Sequence, residues 1–125
     1  LELARHIVWC KEFIPADEVR YYFAVADLVA QPYKSATQSG ITQIAYHFER
    51  PMLVTDVGGL AEIVPHGKVG YVVKPNADDI ADALVDFINH KQDSDFSTGI
   101  VAEKIKYTWD KMTATLIDVA NKVNQ

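Results

Sequence analysis

The chain has 125 residues, 49% of them hydrophobic and 23% charged, which suits one globular domain with its own core and excludes an extended disordered protein. Its net charge of −5 argues against a surface adapted to nucleic acid, because such surfaces carry basic patches. One cysteine, Cys10, excludes an internal disulfide, and no apolar run reaches the ~20 residues that span a bilayer. The sequence opens at Leu1 rather than methionine, and we expect it to be part of a longer protein.

The first thirty residues predict a strand, a helix and a second strand. Residues 6–10 are apolar and partly β-branched or aromatic, so we expect a buried strand in which Cys10 is an inert thiol. Pro15 suits the first turn of a helix, and residues 28–30 form a short apolar run that Pro32 ends. The helix between them has apolar residues at helical spacing: Val19, Tyr22, Phe23 and Ala26.

A polar loop, a short helix and a third strand follow. The loop, residues 33–39, leads into a run at residues 40–48 in which apolar residues recur at helical spacing. Pro51 forces the chain out of this helix, because proline lacks a backbone donor and restricts the residue before it. Residues 52–55 predict a strand, and residues 56–59 predict a turn with two glycines.

The junction between this loop and its helix is a candidate anion site. Ser39 is a common N-cap residue, Gly40 allows a ligand to approach the backbone closely, and the first amides of a helix have no partner within it. Such a junction can bind a phosphate. The same residues are also typical of a plain capped helix start, so the pattern by itself leaves both interpretations open.

The rest of the chain predicts one further strand among helices. We expect a short helix at residues 60–64, a strand at residues 70–73 and a helix that Asn76 caps. The stripe that this helix buries is Ile80, Ala83, Leu84, Phe87 and Ile88. We expect a polar loop at residues 91–97 and a helix at about residues 99–106. A last helix repeats five apolar residues on one face: Trp109, Met112, Leu116, Val119 and Val123.

Strands that alternate with helices of this size predict the fold class α/β, with a Rossmann-like parallel sheet and helices on both faces. In a parallel sheet the loops that follow the strands emerge at one edge, and ligands of open α/β sheets bind there. We therefore expect the loop that ends at Gly40 and the loop that contains Gly58 and Gly59 to be neighbours at that edge.

Several functional motifs are absent from the sequence. Neither G-x-G-x-x-G nor G-x-x-x-x-G-K-[ST] occurs, which argues against a Rossmann dehydrogenase and against a P-loop enzyme. The four histidines show no H-E-x-x-H or H-x-H spacing, and no cysteine pair accompanies them. We therefore expect no metal site.

The most distinctive stretch of the sequence is TDVGGLAEIV at residues 55–64. Tyr107-Thr-Trp-Asp then opens the last helix. With these runs the sequence, from about residue 22 onward, resembles the carboxy-terminal, nucleotide-sugar-binding domain of retaining glycosyltransferases with the GT-B architecture. Further residues that match this family are Ala26-Asp-Leu28, Pro32, Ser35, Gly40, Pro51, Gly67, Gly70, Val73, Pro75 and residues 80–84.

The resemblance implies that residues 1–125 are a single Rossmann-like domain, the carboxy-terminal part of a two-domain cytoplasmic glycosyltransferase. Its substrate would be a nucleoside-diphosphate sugar, with no cofactor and no metal. Its partners would be this donor and the amino-terminal domain of the same polypeptide, without nucleic acid. Any peripheral membrane contact would be made through the missing domain.

The resemblance also implies a donor site at the sheet edge. Backbone amides at residues 39–42 would hold the diphosphate, and Gln43 would lie on the ribose side. The candidate donor-binding residues are Ser35, Thr37, Gln38, Ser39, Gly40, Ile41, Thr42 and Gln43, with Gly58 and Gly59 in a structural loop at the site edge.

Two glutamates of the family are missing from this sequence. The family spaces them E-x7-E around the glycine loop, and here they would fall near Ala36 or Thr37 and near Gln43 or Ile44. Gln43 can hydrogen-bond a diol but supplies no carboxylate, so no catalytic residue is assigned. Two alternatives to a glycosyltransferase stay open: a nucleotide-sugar epimerase of the same architecture, and a non-catalytic module with a degenerate site.

Overall fold

The computed structural model describes residues 2–90 and 93–123, and it confirms a Rossmann-like α/β fold. Three parallel strands lie side by side in the order β1-β2-β3. No helix in these two ranges is long and apolar enough to cross a membrane. In chain order the elements are a 3₁₀ helix (Glu2–His6), α1 (Val19–Val25), β1 (Val29–Gln31), α2 (Gly40–His47), β2 (Met52–Thr55), α3 (Leu60–Ile63), β3 (Gly70–Val73), α4 (Ala77–His90), α5 (Asp93–Lys104), a second 3₁₀ helix (Ile105–Tyr107) and α6 (Trp109–Val123).

Strand β2 is the centre of the sheet and of the core. All four of its residues, Met52–Thr55, are buried, and successive side chains of a strand point to opposite faces, so both faces are covered. Met52 pairs with Val29 of β1 on one side and with Gly70 of β3 on the other. The buried hydrophobic cluster consists of Ala45, Tyr46, Met52, Leu53, Val54, Leu60, Val64, Val69, Tyr71, Ala83, Phe87, Phe96 and Ile100.

The predictions for the middle of the chain are confirmed within one residue at most boundaries. The strands expected at residues 52–55 and 70–73 have those bounds, and the strand expected at residues 28–30 is shifted by one residue. Asn76 caps α4, because its Oδ1 accepts a hydrogen bond from the Asp79 N–H at 2.9 Å. The predicted buried stripe of α4 holds except at its end, where Ile88 is exposed.

The prediction of a strand at residues 6–10 is wrong. Residues 7–10 have no regular structure and are exposed, and Cys10 is an exposed free thiol rather than a buried one. A strand needs a neighbour for its backbone groups, and in the described part of the chain the paired strands are β1, β2 and β3, with one isolated bridge between His66 and Gly70. The first helix is also shorter than expected, because the chain between Pro15 and Glu18 forms a turn and α1 begins at Val19.

The prediction of a loop at residues 91–97 is wrong for residues 93–97, which begin α5; residues 91 and 92 lie outside the described ranges. Phe96 and Ile100, one helical turn apart, are both fully buried and fix this helix to the core. The residues around Phe96 and Ile100 are mostly polar, so the sequence shows no clear apolar periodicity that would predict this helix. Gly99 of α5 lies so close to the backbone that precedes β3 that an added Cβ would be 1.9 Å from the carbonyl oxygen of Lys68.

Candidate functional site

Two loops meet at the carboxyl edge of the sheet, as their positions after β1 and β2 predicted. The first loop, residues 32–39, connects β1 to α2, and the second loop, residues 56–59, connects β2 to α3. The Gly59 N–H donates a hydrogen bond to the carbonyl oxygen of Thr37 at 2.8 Å. Gly58 has φ +55°, and a Cβ added to it would lie 1.9 Å from the carbonyl oxygen of Ala36. Any larger residue at position 58 would force these loops apart, so glycine there is required by the contact itself.

Ser39 caps the helix that the first loop enters. Its Oγ accepts a hydrogen bond from the Ile41 N–H at 3.2 Å, and its carbonyl oxygen accepts one from the Thr42 N–H at 3.3 Å. These bonds use two amides of the first turn of α2 and leave the Gly40 N–H, which has no partner within a helix. A Cβ added to Gly40 would meet nothing within 4 Å, so the space on the side-chain face of this residue is open.

The contact with Gly58 and Gly59 also sets the direction of the amides in the first loop. All described peptide bonds are trans, so the N–H of each residue points away from the carbonyl of the residue before it. Because the Ala36 and Thr37 carbonyls face the second loop, the N–H groups of Thr37 and Gln38 face the opposite way. Thr37, Gln38 and Gly40 are all exposed residues, and neighbouring backbone donors at the start of a helix bind anions.

The predicted donor-binding side chains are not all exposed to solvent. Ser35, Thr37, Gln38 and Gln43 are exposed and accessible to a ligand. Thr42 is fully buried, and its Oγ1 donates to the carbonyl oxygen of Ser39 at 2.5 Å. Its side chain therefore holds the start of α2 and points into the protein.

Thr55 and Tyr33, which the sequence analysis did not select, fix the start of the first loop. Thr55 is fully buried at the end of β2, and its Oγ1 donates to the carbonyl oxygen of Tyr33 at 2.6 Å. The Tyr33 hydroxyl in turn lies 3.4 Å from Ser39 Oγ. The signal for Thr55 was present, because a hydroxyl at the end of a fully buried strand needs an acceptor.

A groove runs beside the site between α2 and the segment that leads into α6. It consists of two cavities of about 380 and 340 Å³, and both are lined by Gln43 and Tyr107. The rings of Tyr46 and Tyr107 lie 5.1 Å apart at its floor. Burial raises the pKa of both tyrosines, and the Tyr46 hydroxyl donates to the carbonyl oxygen of Ile63 at 2.6 Å.

The polar groups at this edge of the sheet suit an anion. Lys34 lies in the first loop and Lys74 directly follows β3, so both cations belong to the same edge, together with the exposed carboxylate of Asp56. In residues 2–90 and 93–123, no three His, Cys, Asp or Glu side chains are grouped as a metal site would require. The donors available here are backbone amides, hydroxyls, side-chain amides and ammonium groups.

Comparisons with known proteins agree with this architecture. A family model described as glycosyl transferases group 1 matches residues 1–90. A solved structure of a sucrose-phosphate synthase from Thermosynechococcus elongatus is similar over 88% of the present chain, with a TM-score of 0.74 and 17% identity. The similarity covers 28% of that structure, so the present chain spans little more than a quarter of its length. No curated protein matches the chain.

Proposed function

Because the chain belongs to the glycosyl transferases group 1 family, we propose that it forms part of the donor site of an enzyme that transfers a sugar from a nucleoside-diphosphate sugar to an acceptor. Membership of the family supports glycosyl transfer in general. The proposal adds that the donor is a nucleoside-diphosphate sugar. The observation that carries this step is the orientation of the Thr37 and Gln38 amides away from Gly58 and Gly59, beside the helix start at Gly40, which suits a phosphate group.

These amides would act on the leaving group. As the bond between the anomeric carbon and the diphosphate oxygen breaks, the electron pair stays on that oxygen and its negative charge grows. Donors that are already oriented toward this oxygen stabilise the charge without further reorganisation. The positive end of the α2 dipole at Gly40 adds to the same effect.

The exposed side chains around the amides would contact the rest of the donor. In this proposal Ser35, Thr37 and Gln38 lie on the sugar side, and Gln43, one turn into α2, lies on the ribose side. The amino-terminal domain of the same polypeptide would supply the opposite wall of the cleft and the acceptor site. We place the enzyme in the cytoplasm as part of the same proposal, and we expect residues 1–125 alone to be inactive in transfer.

One observation favours a second function, a binding module without catalysis. The two glutamates of the related family have no counterpart at residues 36–37 and 43–44, and Gln43 supplies an amide where that family has a carboxylate. A module of this kind would bind a nucleotide sugar weakly or not at all.

The first test is a thermal-shift screen of the complete polypeptide with UDP, GDP, ADP and their common sugars. We expect one nucleoside diphosphate to raise the melting temperature, because a ligand that binds only the native state stabilises it by mass action. No shift with any nucleotide at millimolar concentration would favour the binding module over the transferase. Epimerised donor formed without an acceptor would identify an epimerase instead.

The second test places a bulky side chain at Gly40, beside the proposed phosphate position. The variant Gly40→Phe places a ring where an added Cβ meets no other atom, so we expect the fold to persist and diphosphate affinity to fall about tenfold or more, which corresponds to roughly 1.4 kcal/mol. The control is Ala81→Phe, which adds the same ring at an exposed position of α4. Unchanged affinity and unchanged transfer by Gly40→Phe would exclude the assigned site.

A further inference from the structure

Three carbonyl oxygens of the first loop face the last residue of β2 and the segment that follows it. Thr55 Oγ1 donates to the carbonyl of Tyr33, and the Gly59 N–H donates to the carbonyl of Thr37. Between them, the carbonyl of Ala36 lies against Gly58. Thr55 and the segment that follows it therefore control the orientation of three peptide groups in the loop.

Among these contacts, the one made by Thr55 is the only one that a side chain provides. The hydroxyl is fully buried and its bond to Tyr33 is 2.6 Å long, so water cannot easily replace it. Because the Tyr33 carbonyl faces Thr55, the Lys34 N–H on the other side of the same trans peptide group faces away from Thr55. The Lys34 N–H is thus directed away from the end of β2, and the amides of Thr37 and Gln38 are directed away from Gly58 and Gly59.

The effect of Thr55 extends to the far end of the loop through Tyr33. The Tyr33 hydroxyl lies 3.4 Å from Ser39 Oγ, and Ser39 Oγ caps α2 through the Ile41 N–H. A continuous series of polar contacts thus connects the buried end of β2 with both ends of the loop. Loss of the Thr55 hydroxyl would remove the hydrogen bond that holds the start of the loop at Tyr33. It would not remove any group that contacts a ligand.

We propose that Thr55 is a positioning residue, which holds the loop between Tyr33 and Ser39 in the orientation that directs its amides toward an anionic ligand. This inference rests on the proposed function for the identity of the ligand, a nucleoside diphosphate. It does not rest on that function for the state of the loop, because the contacts are present without a ligand. The two can therefore be tested separately.

The experiment compares three variants of the complete polypeptide. Thr55→Val removes the hydroxyl, Thr55→Ser retains it, and Tyr46→Phe is the matched control. Tyr46 is also buried and its hydroxyl also donates to a backbone carbonyl at 2.6 Å, but that carbonyl belongs to Ile63, outside the loop. Each variant is measured by hydrogen exchange of the Ile41 and Gly59 amides, whose acceptors, Ser39 Oγ and the Thr37 carbonyl, belong to the loop, and by titration with the nucleoside diphosphate that stabilises the wild type.

We expect Thr55→Val to exchange the Ile41 and Gly59 amides faster and to bind the diphosphate about three- to tenfold more weakly, the effect of losing one buried hydrogen bond. Thr55→Ser should restore both values, and Tyr46→Phe should lower the melting temperature without changing either. Wild-type exchange of the Ile41 and Gly59 amides in Thr55→Val, or equal acceleration by Tyr46→Phe, would overturn the proposal. Faster exchange in Thr55→Val together with no diphosphate binding by the wild type would retain the positioning role and reject the proposed function.

Discussion

The central part of the chain and its two ends differ in how their apolar residues are used. From β1 to α5 the strands and helices bury a continuous core around β2. In contrast, neither α1 nor α6 has a buried residue, and no residue in 3–27 or 105–123 is buried. The difference does not follow from composition, because exposed side chains at the ends include Trp9, Phe13 and Trp109. An amphipathic pattern therefore predicts an apolar face, but it does not predict what covers that face.

The largest expected effect contrasts two phenylalanines, one from each part. Phe96 on α5 is 2% exposed and Phe13 near the amino end is 91% exposed. We expect Phe96→Ala to lower the free energy of unfolding by about 3–5 kcal/mol, because it removes buried apolar surface and leaves a cavity. Phe13→Ala should change it by less than about 0.5 kcal/mol. Urea denaturation of the 125-residue chain measures both, and equal effects would contradict the division into a packed centre and uncovered ends.

The sequence predicted the centre well because local signals and tertiary contacts agree there. The strands at residues 52–55 and 70–73 are bounded by proline or glycine, and their apolar runs are buried in the sheet. The predictions failed where the decisive contact lies far away in the sequence. Residues 6–10 look like a strand but have no neighbouring strand to pair with, and α5 depends on Phe96 and Ile100 packing onto a core that its own polar sequence does not reveal.

The candidate site shows the same limit. Glycine and hydroxyl residues predicted the loop and the cap at Ser39, and the parallel topology predicted that this loop meets Gly58 and Gly59. The orientation of the peptide groups could not be predicted, because their carbonyls contact Thr55, Gly58 and Gly59, and Thr55 lies 22 residues from its partner Tyr33. The role of Thr42 was not visible either, since only the structure shows that its side chain points into the protein.

A smaller effect is expected from a buried carboxylate that connects α5 to the centre. Glu103 accepts hydrogen bonds from Lys106, at 2.6 Å, and from Lys68, and these bonds hold the pKa of Glu103 below its ordinary value of 4.5. We expect Glu103→Gln to lower the free energy of unfolding at pH 7 by about 1–3 kcal/mol, the usual value of hydrogen bonds to a charged group. The exposed pair of Glu49 and Lys104 is the control, and Glu49→Gln should cost less than about 1 kcal/mol.

The pH dependence of this effect has a definite sign. Because the pKa of Glu103 is lower in the folded state than in the unfolded state, its stabilisation is complete above about pH 4.5 and is lost as the pH falls through the folded pKa. The difference between wild type and Glu103→Gln should therefore shrink when urea denaturation is repeated at successively lower pH below 4.5. A difference that stays constant over that range would show that the charge of Glu103 is not the source of its stabilising effect.

The apolar stripe of α6 tests whether another part of the polypeptide covers the carboxyl end. We propose that the amino-terminal domain packs on this stripe, in which Leu116 is 61% exposed in the present structure. Leu116→Ala should then cost about 1–2 kcal/mol in the complete polypeptide and less than about 0.5 kcal/mol in the 125-residue chain. Asn121→Ala, a substitution outside the stripe on the same helix, is the control. Equal and small effects of Leu116→Ala in both proteins would mean that the stripe stays exposed to solvent.

The smallest expected effect compares the starts of two helices, one in each part. Asn76 caps α4 through the Asp79 N–H, whereas Glu18 precedes α1 without a side-chain cap. Asn76→Ala should lower the free energy of unfolding by about 1 kcal/mol, and Asn76→Asp should restore most of it, since aspartate also accepts a hydrogen bond at this position. Glu18→Ala should have no measurable effect, because it removes no cap and α1 contributes no buried residue to the core. A loss of about 1 kcal/mol for Glu18→Ala would show that α1 contributes to the stability of the centre after all, and that exposure alone understates its connection to the core.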